Sequence, residues 1–321
     1  MEMMETKNRL LSFIIWTYRN FDGIYATLDS LFVQDYPNIE LIISDDGSPN
    51  IANHIDSIKE YIEKNKGDNI TNVIYNLLDT NVGTVRNANS AIKCSHGYYI
   101  KEIGADDILK GKDALSKFVT FLDENKCNIC FSKLEGVDTE GNIVKSLESC
   151  ADDYDVLAKS SSEELRNRLF KRNFLPAPAR CVTRDLFEKN GYYFEQIRLI
   201  EDYPYWIHLT MQGEKIGFLD EVLIQYTFTG VSSTGNYSLM FMNDMLDIYE
   251  QFIFPNDHRY GALEGLYNRL KEMGLQTYVA KAKWKDMTGR QKVSAYIKYW
   301  PFFVFISLNR FRYKIKNKRN T

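Results

Sequence analysis

The run Leu10-Leu11-Ser12-Phe13-Ile14-Ile15-Trp16 is apolar at every position except Ser12. A half-exposed strand alternates apolar with polar residues, so a run without alternation marks a strand covered on both faces, as in the middle of a parallel sheet. The chain beyond Trp16 keeps a matching rhythm. Ile24, Leu28, Leu31 and Phe32 fall at helical spacing, with Asn20 or Asp22 as candidate cap and Pro37 as a stop. Glu40 to Ser44 reads as a second strand and Ile70 to Tyr75 as a third, with Ile51, Ile55, Ile58 and Ile62 between them as a helix face capped by Ser48 or Asn50. A helix through Val85, Ala88 and Ile92 precedes a fourth strand, Tyr98 to Ile103. This alternation predicts an α/β fold whose right-handed crossovers bring the carboxyl ends of the strands to one edge.

Three of those strands run into polar loops: Thr17-Tyr18-Arg19-Asn20, Asp45-Asp46-Gly47-Ser48 and Gly104-Ala105-Asp106-Asp107. Open α/β sheets bind ligands at this edge. Paired carboxylates hold a hard divalent cation, which in turn neutralises phosphates. Taken alone, Asp106-Asp107 reads more simply as an acidic turn, and Asp45-Asp46-Gly47-Ser48 as a turn with a helix cap. Asn81-Val82-Gly83-Thr84 opens the third helix and brings Arg86 near the edge, either as a guanidinium for a nucleotide and its phosphates or as a solvated helix residue.

Composition narrows the classes. A chain of 321 residues, 44% hydrophobic and 26% charged, suits one large soluble domain with an appendage, or two domains. Its net charge of −3 argues against a nucleic-acid partner. No Gly-x-Gly-x-x-Gly follows a strand and no Gly-Lys-Ser loop occurs, so the dinucleotide and P-loop readings lose their best support. Of five scattered cysteines, only Cys127 and Cys130 lie close, in an apolar strand-like setting, which gives neither a disulfide framework nor a zinc site. His54, His96, His208 and His258 show no metal-binding spacing. The segment Met1 to Arg9 is polar and the apolar run after it is short, so no secretion signal is expected and the compartment reads as the reducing cytoplasm.

The motifs Ser12 to Asn20, Leu41 to Ser48, Asn81-Val82-Gly83 with Arg86-Asn87, Ala105-Asp106-Asp107, and Glu201-Asp202-Tyr203-Pro204-Tyr205-Trp206 together resemble the ordered motifs of inverting family-2 glycosyltransferases of the bacterial surface-polysaccharide type. The resemblance covers about Phe13 to Tyr226. It implies the GT-A fold: a Rossmann-like, mostly parallel central sheet with helices on both faces. It further implies hexosyl transfer from a nucleoside-diphosphate sugar, most simply a UDP-sugar, to a hydroxyl of a glycan or lipid-linked oligosaccharide. By that resemblance Asp46 accepts a hydrogen bond from the base, Thr17 contacts the nucleoside and Arg86 the nucleotide. Asp107 ligates Mg²⁺ or Mn²⁺ on the diphosphate, Asp106 stands near the ribose or the metal, and Asp202 is the general base. A carboxylate at that helix start would take the proton of the attacking hydroxyl; by itself it is also an ordinary acid at a helix N-terminus. Two departures from the family pattern predict a loosely held metal. Gly104 stands where many relatives carry a further Asp, and Tyr226-Thr227-Phe228-Thr229 lacks the histidine of Tyr-Arg-x-His.

In the second half, Asp138 to Asn142 reads as a hairpin turn and residues 150–163 as a polar, mobile loop. Ala179 to Thr183 reads as a strand, followed by a short helix through Leu186 and Phe187 that ends at Gly191. The expected division is a GT-A catalytic domain over residues 1–235 and a helical extension over 236–321. In that extension, 238–254 and Tyr260 to Leu275 read as helices. From Lys281 to Arg319 twelve basic residues face the single acid Asp286 and flank the apolar run Tyr299 to Leu308, which is shorter than the roughly 20 residues that span a bilayer. The alternatives are a packed helix with a basic tail and, the favoured one, peripheral contact with an anionic membrane on the inner face of the cell membrane. Two other functions stay open: a silent nucleotide-sugar-binding protein, and a nucleotidyltransferase. The lack of an N-terminal glycine-rich basic phosphate loop speaks against the second.

Overall fold

The computed structural model describes residues 8–138, 142–144, 151–227, 238–256, 273, 274, 276, 287–298 and 300. The chain divides into two compact units, Met1–Asn236 and Tyr237–Thr321. The first unit is built on one eight-stranded sheet. Its strands are β1 (Leu11–Thr17), β2 (Ile39–Asp45), β3 (Ile70–Leu77), β4 (Tyr99–Gly104), β5 (Ile108–Leu109), β6 (Ile129–Val137), β7 (Arg180–Thr183) and β8 (Ile216–Thr227). Their order is β3-β2-β1-β4-β7-β6-β8-β5.

β3, β2, β1 and β4 are mutually parallel. β2 is buried along its whole length and β1 at all positions but Trp16, the burial that an unalternating apolar run requires. β3, at the edge, is largely open. β7 then enters antiparallel to both β4 and β6, β8 runs parallel to β6, and β5 pairs antiparallel with β8. Parallel pairing is thus concentrated in the first four strands, and the later half of the sheet is mixed.

Helices α1 (Ile24–Phe32), α2 (Ile55–Asn65), α3 (Thr84–Cys94) and α4 (Ala114–Asn125) connect or follow the early strands. Each buries its apolar stripe: Ile24, Leu28 and Leu31 on α1; Ile55, Ile58 and Ile62 on α2; Val85, Ala88 and Ile92 on α3. The expected caps differ. α1 starts at Gly23 without a side-chain cap, so neither Asn20 nor Asp22 serves. Ile51 lies in a separate 3₁₀ turn, Ile51–Asn53, and α2 starts after His54 without a side-chain cap, because Ser48 is held by Asp45 instead.

The reading of 150–163 as a loop is corrected for the residues described. Ala151–Lys159 forms α5 and Ser162–Leu169 forms α6. Ser161 and Glu164 make a reciprocal capping box at the start of α6, and the buried Asp153 of α5 pairs with Arg168, at 2.8 Å, and with Arg172. The segment is polar because its helices are joined by ions, with Leu157, Leu165 and Leu169 as their apolar anchors. At 138–142 the ends are joined as a hairpin, Asp138 N–H to Asn142 O at 3.0 Å with Val137 bridged to Ile143, while 139–141 lie outside the described residues. α7 (Arg184–Asn190) ends at Gly191, and α8 (Asp202–Met211) is buried from Tyr203 to Ile207.

In the second unit, α9 (Leu239–Ile248) is capped by Ser238 and continues as a π turn, Tyr249–Ile253. Residues 289–298 are helical, opened by a Thr288–Gln291 capping box. The proposed helix Tyr260 to Leu275 and the run Tyr299 to Leu308 fall largely outside the described residues.

Candidate active site

Register brings the three loop-bearing strand ends side by side, since Thr17 pairs with Asp45, and Trp16 with both Ser44 and Gly104. The first loop is fixed by short polar contacts. Thr17 is buried; its hydroxyl donates to Asn20 O at 2.8 Å and its carbonyl accepts from Asp46 N–H at 3.0 Å. Arg19 takes a left-handed conformation, φ 60°, which directs its N–H to Ser48 Oγ at 2.8 Å. Asp45 accepts from Ser48 N–H and Oγ–H, both at 2.7 Å, closing the turn.

Asp46 faces the other way. Its carboxylate accepts from Asn81 Nδ2 at 2.7 Å, Val82 N–H at 2.8 Å and Gly83 N–H at 3.1 Å. Burial pushes its carboxyl up, against those amides. The Asn81–Gly83 loop is held from its far side by Arg198, which donates to Asn81 O at 2.9 Å and Oδ1 at 2.8 Å, while Arg198 O accepts from Val85 N–H at 3.1 Å. Gly83, at φ 96°, lies so close that a Cβ would stand 2.4 Å from Arg198 Cγ and 2.7 Å from Arg198 O. Arg198 is a site residue that motif reading does not reveal; its only sequence signal is a position just ahead of Glu201-Asp202. Arg86, which motif reading does select, stands on α3 with 58% of its side chain exposed, 3.6 Å from Glu195.

Asp106 and Asp107 form the turn after β4. Asp107 is 2% exposed, its Oδ1 accepting from Thr227 N–H at 3.2 Å and its Oδ2 from Gly104 N–H at 3.3 Å. Thr227 also donates through Oγ1 to Asp106 O at 2.7 Å. Burial, then the Asp106 charge, push the Asp107 carboxyl up to about 7. The two carboxylates converge on the space beside Gly104: a Cβ there would sit 3.1 Å from Asp107 Oδ2 and 3.2 Å from Asp106 Oδ1. Two convergent hard oxygens would suit a divalent cation, with Asp107 and Asp106 as the residues to hold it. Among the described residues no cluster of three or more His, Cys, Asp or Glu gathers as a metal site; the segment with Thr229 lies outside them.

Asp202 opens α8, half-buried. Its Oδ2 accepts from Asn173 Nδ2 at 2.8 Å and its Oδ1 from Tyr203 N–H at 2.7 Å. Burial raises its carboxyl, opposed by Asn173 and by the charge of Arg180. The adjacent Glu201, 7% exposed, is raised by burial and by the Asp202 charge. Asn173 lies 29 residues earlier, with no pattern that links it to the acid. The histidines turn elsewhere: His96 pairs with Glu40, His54 stacks on Phe21, and His208 contacts Asn190 O. His258 lies outside the described residues.

A parallel half-sheet with acidic strand ends, joined to a mixed half that carries an acid-led helix, is the GT-A architecture. Solved structures share the fold: Staphylococcus aureus TarS 1–349 in complex with UDP-GlcNAc at TM-score 0.58, over 91% of this chain and 80% of that one, with 19% identity. Mannosyltransferase PcManGT from Pyrobaculum calidifontis, in complex with GDP-Man and Mn²⁺, aligns at TM-score 0.56 over 92% and 83%, with 14% identity. Residues 12–191, more than half of the chain, match glycosyl transferase family 2, and the chain belongs to that family. An uncharacterized glycosyltransferase of Methanocaldococcus jannaschii is 26% identical over 69% of this chain and 72% of its own. The poly(ribitol-phosphate) beta-glucosyltransferase of Bacillus spizizenii is 28% identical over 64% of this chain, which spans 33% of that larger protein.

Proposed function

We propose that this glycosyltransferase moves a hexosyl unit from a UDP-sugar to a hydroxyl of a glycan or lipid-linked oligosaccharide, with inversion, and that Asp202 is the general base. The observation that carries the reading is the state of the Asp202 carboxylate. It is half-buried at the start of α8 and held by one side-chain donor and its own neighbouring amide, so each oxygen keeps a free lone pair. An attacking hydroxyl can donate there, and the proton passes to Asp202 as the oxygen bonds the anomeric carbon and the bond to the UDP oxygen breaks. The two nucleotide-bound neighbours support UDP- or GDP-type donors, and the poly(ribitol-phosphate) beta-glucosyltransferase relative supports a hydroxyl-bearing polymer as acceptor.

On the donor side, Asp46 fastens the Asn81–Gly83 loop, with Gly83 N–H shared between both its oxygens, and in this reading it meets the base by giving up part of that shared contact, with Thr17 beside it. Asp107 and Asp106 fit Mg²⁺ or Mn²⁺ on the diphosphate, where such an ion supplies charge neutralisation for the leaving UDP. Arg86 reaches the nucleotide in this reading only by leaving Glu195.

The catalytic domain is assigned to residues 1–235, and peripheral contact with the anionic inner face of the cell membrane to residues 281–319. Val293, Tyr296, Ile297 and Trp300 support that contact. They are all more than half exposed and recur at i, i+3, i+4 and i+7, with Arg290 and Lys292 at the edges of the stripe. Among the described residues no helix is long and apolar enough to cross a membrane.

The test is UDP release from UDP-glucose and UDP-N-acetylglucosamine with Mn²⁺. Asp202→Asn is expected to lower turnover about 100- to 10,000-fold with donor binding retained; full turnover by that variant rejects the base assignment.

A further inference from the structure

Beneath the first turn of α8 lies a buried ionic cluster that the donor and metal motifs do not include. Arg180, the first residue of β7, is 1% exposed. Its Nη2 donates to Glu102 Oε2 at 2.7 Å and to Tyr193 OH at 2.7 Å, its Nε to the same Glu102 oxygen at 3.2 Å, and its Nη1 to Ala177 O at 2.9 Å. Tyr193 OH also donates to Glu102 Oε2, at 2.9 Å. The guanidinium does not straddle the carboxylate: both contacts fall on one oxygen, and Glu102 Oε1 is buried without a hydrogen-bond partner. A bidentate fork would couple the two charges more completely; this arrangement leaves part of the cation's field to act elsewhere.

Within that field stands α8. The guanidinium lies over the Trp206 ring, 5.5 Å from its centroid, and Trp206 is one helical turn after Asp202, on the same face. Tyr193 meets the ring of Tyr205 edge-on at 4.9 Å. Arg180 is paired with Glu102, and its charge acts also on Glu201 and Asp202.

We propose that Arg180 is a positioning residue for Asp202: it seats the first turn of α8 through Trp206 and supplies the buried positive charge against which the base works. This rests on the reading of Asp202 as the base. Other groups face that turn as well. Asn173 reaches Asp202 from the segment ahead of β7, and Glu102 acts on Glu201 from β4. α6 meets α8 through Leu169 O on the Tyr203 hydroxyl and Arg166 on Thr210 O at the far end. His208 faces Asn190 O, away from the first turn. Arg180 is the cation acting on both Glu201 and Asp202, and it favours their charged forms.

The test is the pH profile of UDP release from UDP-glucose or UDP-N-acetylglucosamine with Mn²⁺. Because Arg180→Met alone leaves Glu102 buried and unpaired, the informative variant is the double Glu102→Leu/Arg180→Met, which removes both charges. Arg180 is the charge that acts on Asp202, whereas Glu102 acts on Glu201, so losing the pair is expected to move the acid limb of kcat to higher pH. The rate would then fall several-fold on the acid side of the profile and recover at alkaline pH, with donor KM unchanged, and Arg180→Lys should keep the parental profile. A double variant that is folded with the parental profile, that loses rate equally at every pH, or that does not fold makes the cluster structural only and overturns the proposal. Asp202→Asn separates the two levels: full activity there removes the base reading itself, as does absence of UDP release from the unmodified chain.

Discussion

Lys101 offers a quantitative test of the sheet. It sits on β4 fully buried, its Nζ donating to Glu102 O at 3.0 Å and Pro178 O at 2.5 Å, with the Phe118 ring 5.6 Å away. Burial holds its amine down at about 8, against an ordinary value of 10.5. At neutral pH both the folded and unfolded chains carry the proton, and the folded chain bears the cost of burying it, about 3.4 kcal/mol for that displacement. Between pH 8 and 10.5 the unfolded state binds the extra proton, so this contribution to stability rises with pH. Lys101→Met keeps the stem and removes the titration. Urea unfolding of the full chain and the variant should show the difference in stability changing by about 2 kcal/mol between pH 7 and pH 9.5, the parental protein gaining relative to the variant. Taking the difference cancels the tyrosines and cysteines that Lys101 does not affect, and Cys181, which it does affect, is pushed by burial up to about 12, above this range. A difference that stays constant across that range refutes the buried charged lysine.

Other outcomes are as direct. Asp107→Asn should abolish the Mn²⁺-dependent part of UDP-sugar affinity, read by calorimetry with and without chelator; unchanged metal dependence would reassign the ligand. Gly83→Ala places a methyl against Arg198 at a backbone angle disfavoured for alanine, and should weaken UDP-sugar binding at least tenfold while urea unfolding shifts by about 1–3 kcal/mol. Binding that stays at the parental level would show that the Asn81–Gly83 loop is not part of the donor site. Val293→Glu/Ile297→Glu should lower co-sedimentation with phosphatidylserine-containing vesicles several-fold, and salt should weaken the parental binding; equal sedimentation would remove that helix from the contact.

The early strands were legible because unalternating apolar runs such as Leu11–Trp16 have few other uses, and the three acidic loops because they end those runs. The helices at 151–169 were not, because their stability comes from Asp153 with two arginines and from a capping box rather than from a dense apolar stripe. The Ser161-x-x-Glu164 spacing was the available signal. At the site, the acids lie in contiguous motifs, whereas their supports do not. Asn173 is 29 residues from Asp202, Arg180 is 78 from Glu102, and Arg198 is 117 from Asn81. Pairings over such separations are set by the sheet order and have no local pattern. Arg86 shows the converse: a motif places it near the edge, and Glu195 engages it in the structure.

β7 is only four residues long, yet it is the seam of the sheet, joining a half made by residues 11–104 to a half made by later chain. The acids assigned to the donor follow strands of the first half and Asp202 follows β7, and contacts cross the seam both ways: Arg180 to Glu102, Arg198 to Asn81, and Thr227 to Asp107. A substitution in β7 is therefore transmitted to both halves of the sheet at once. Arg180, at the first position of that seam, is where such a change would be felt by the chemistry itself.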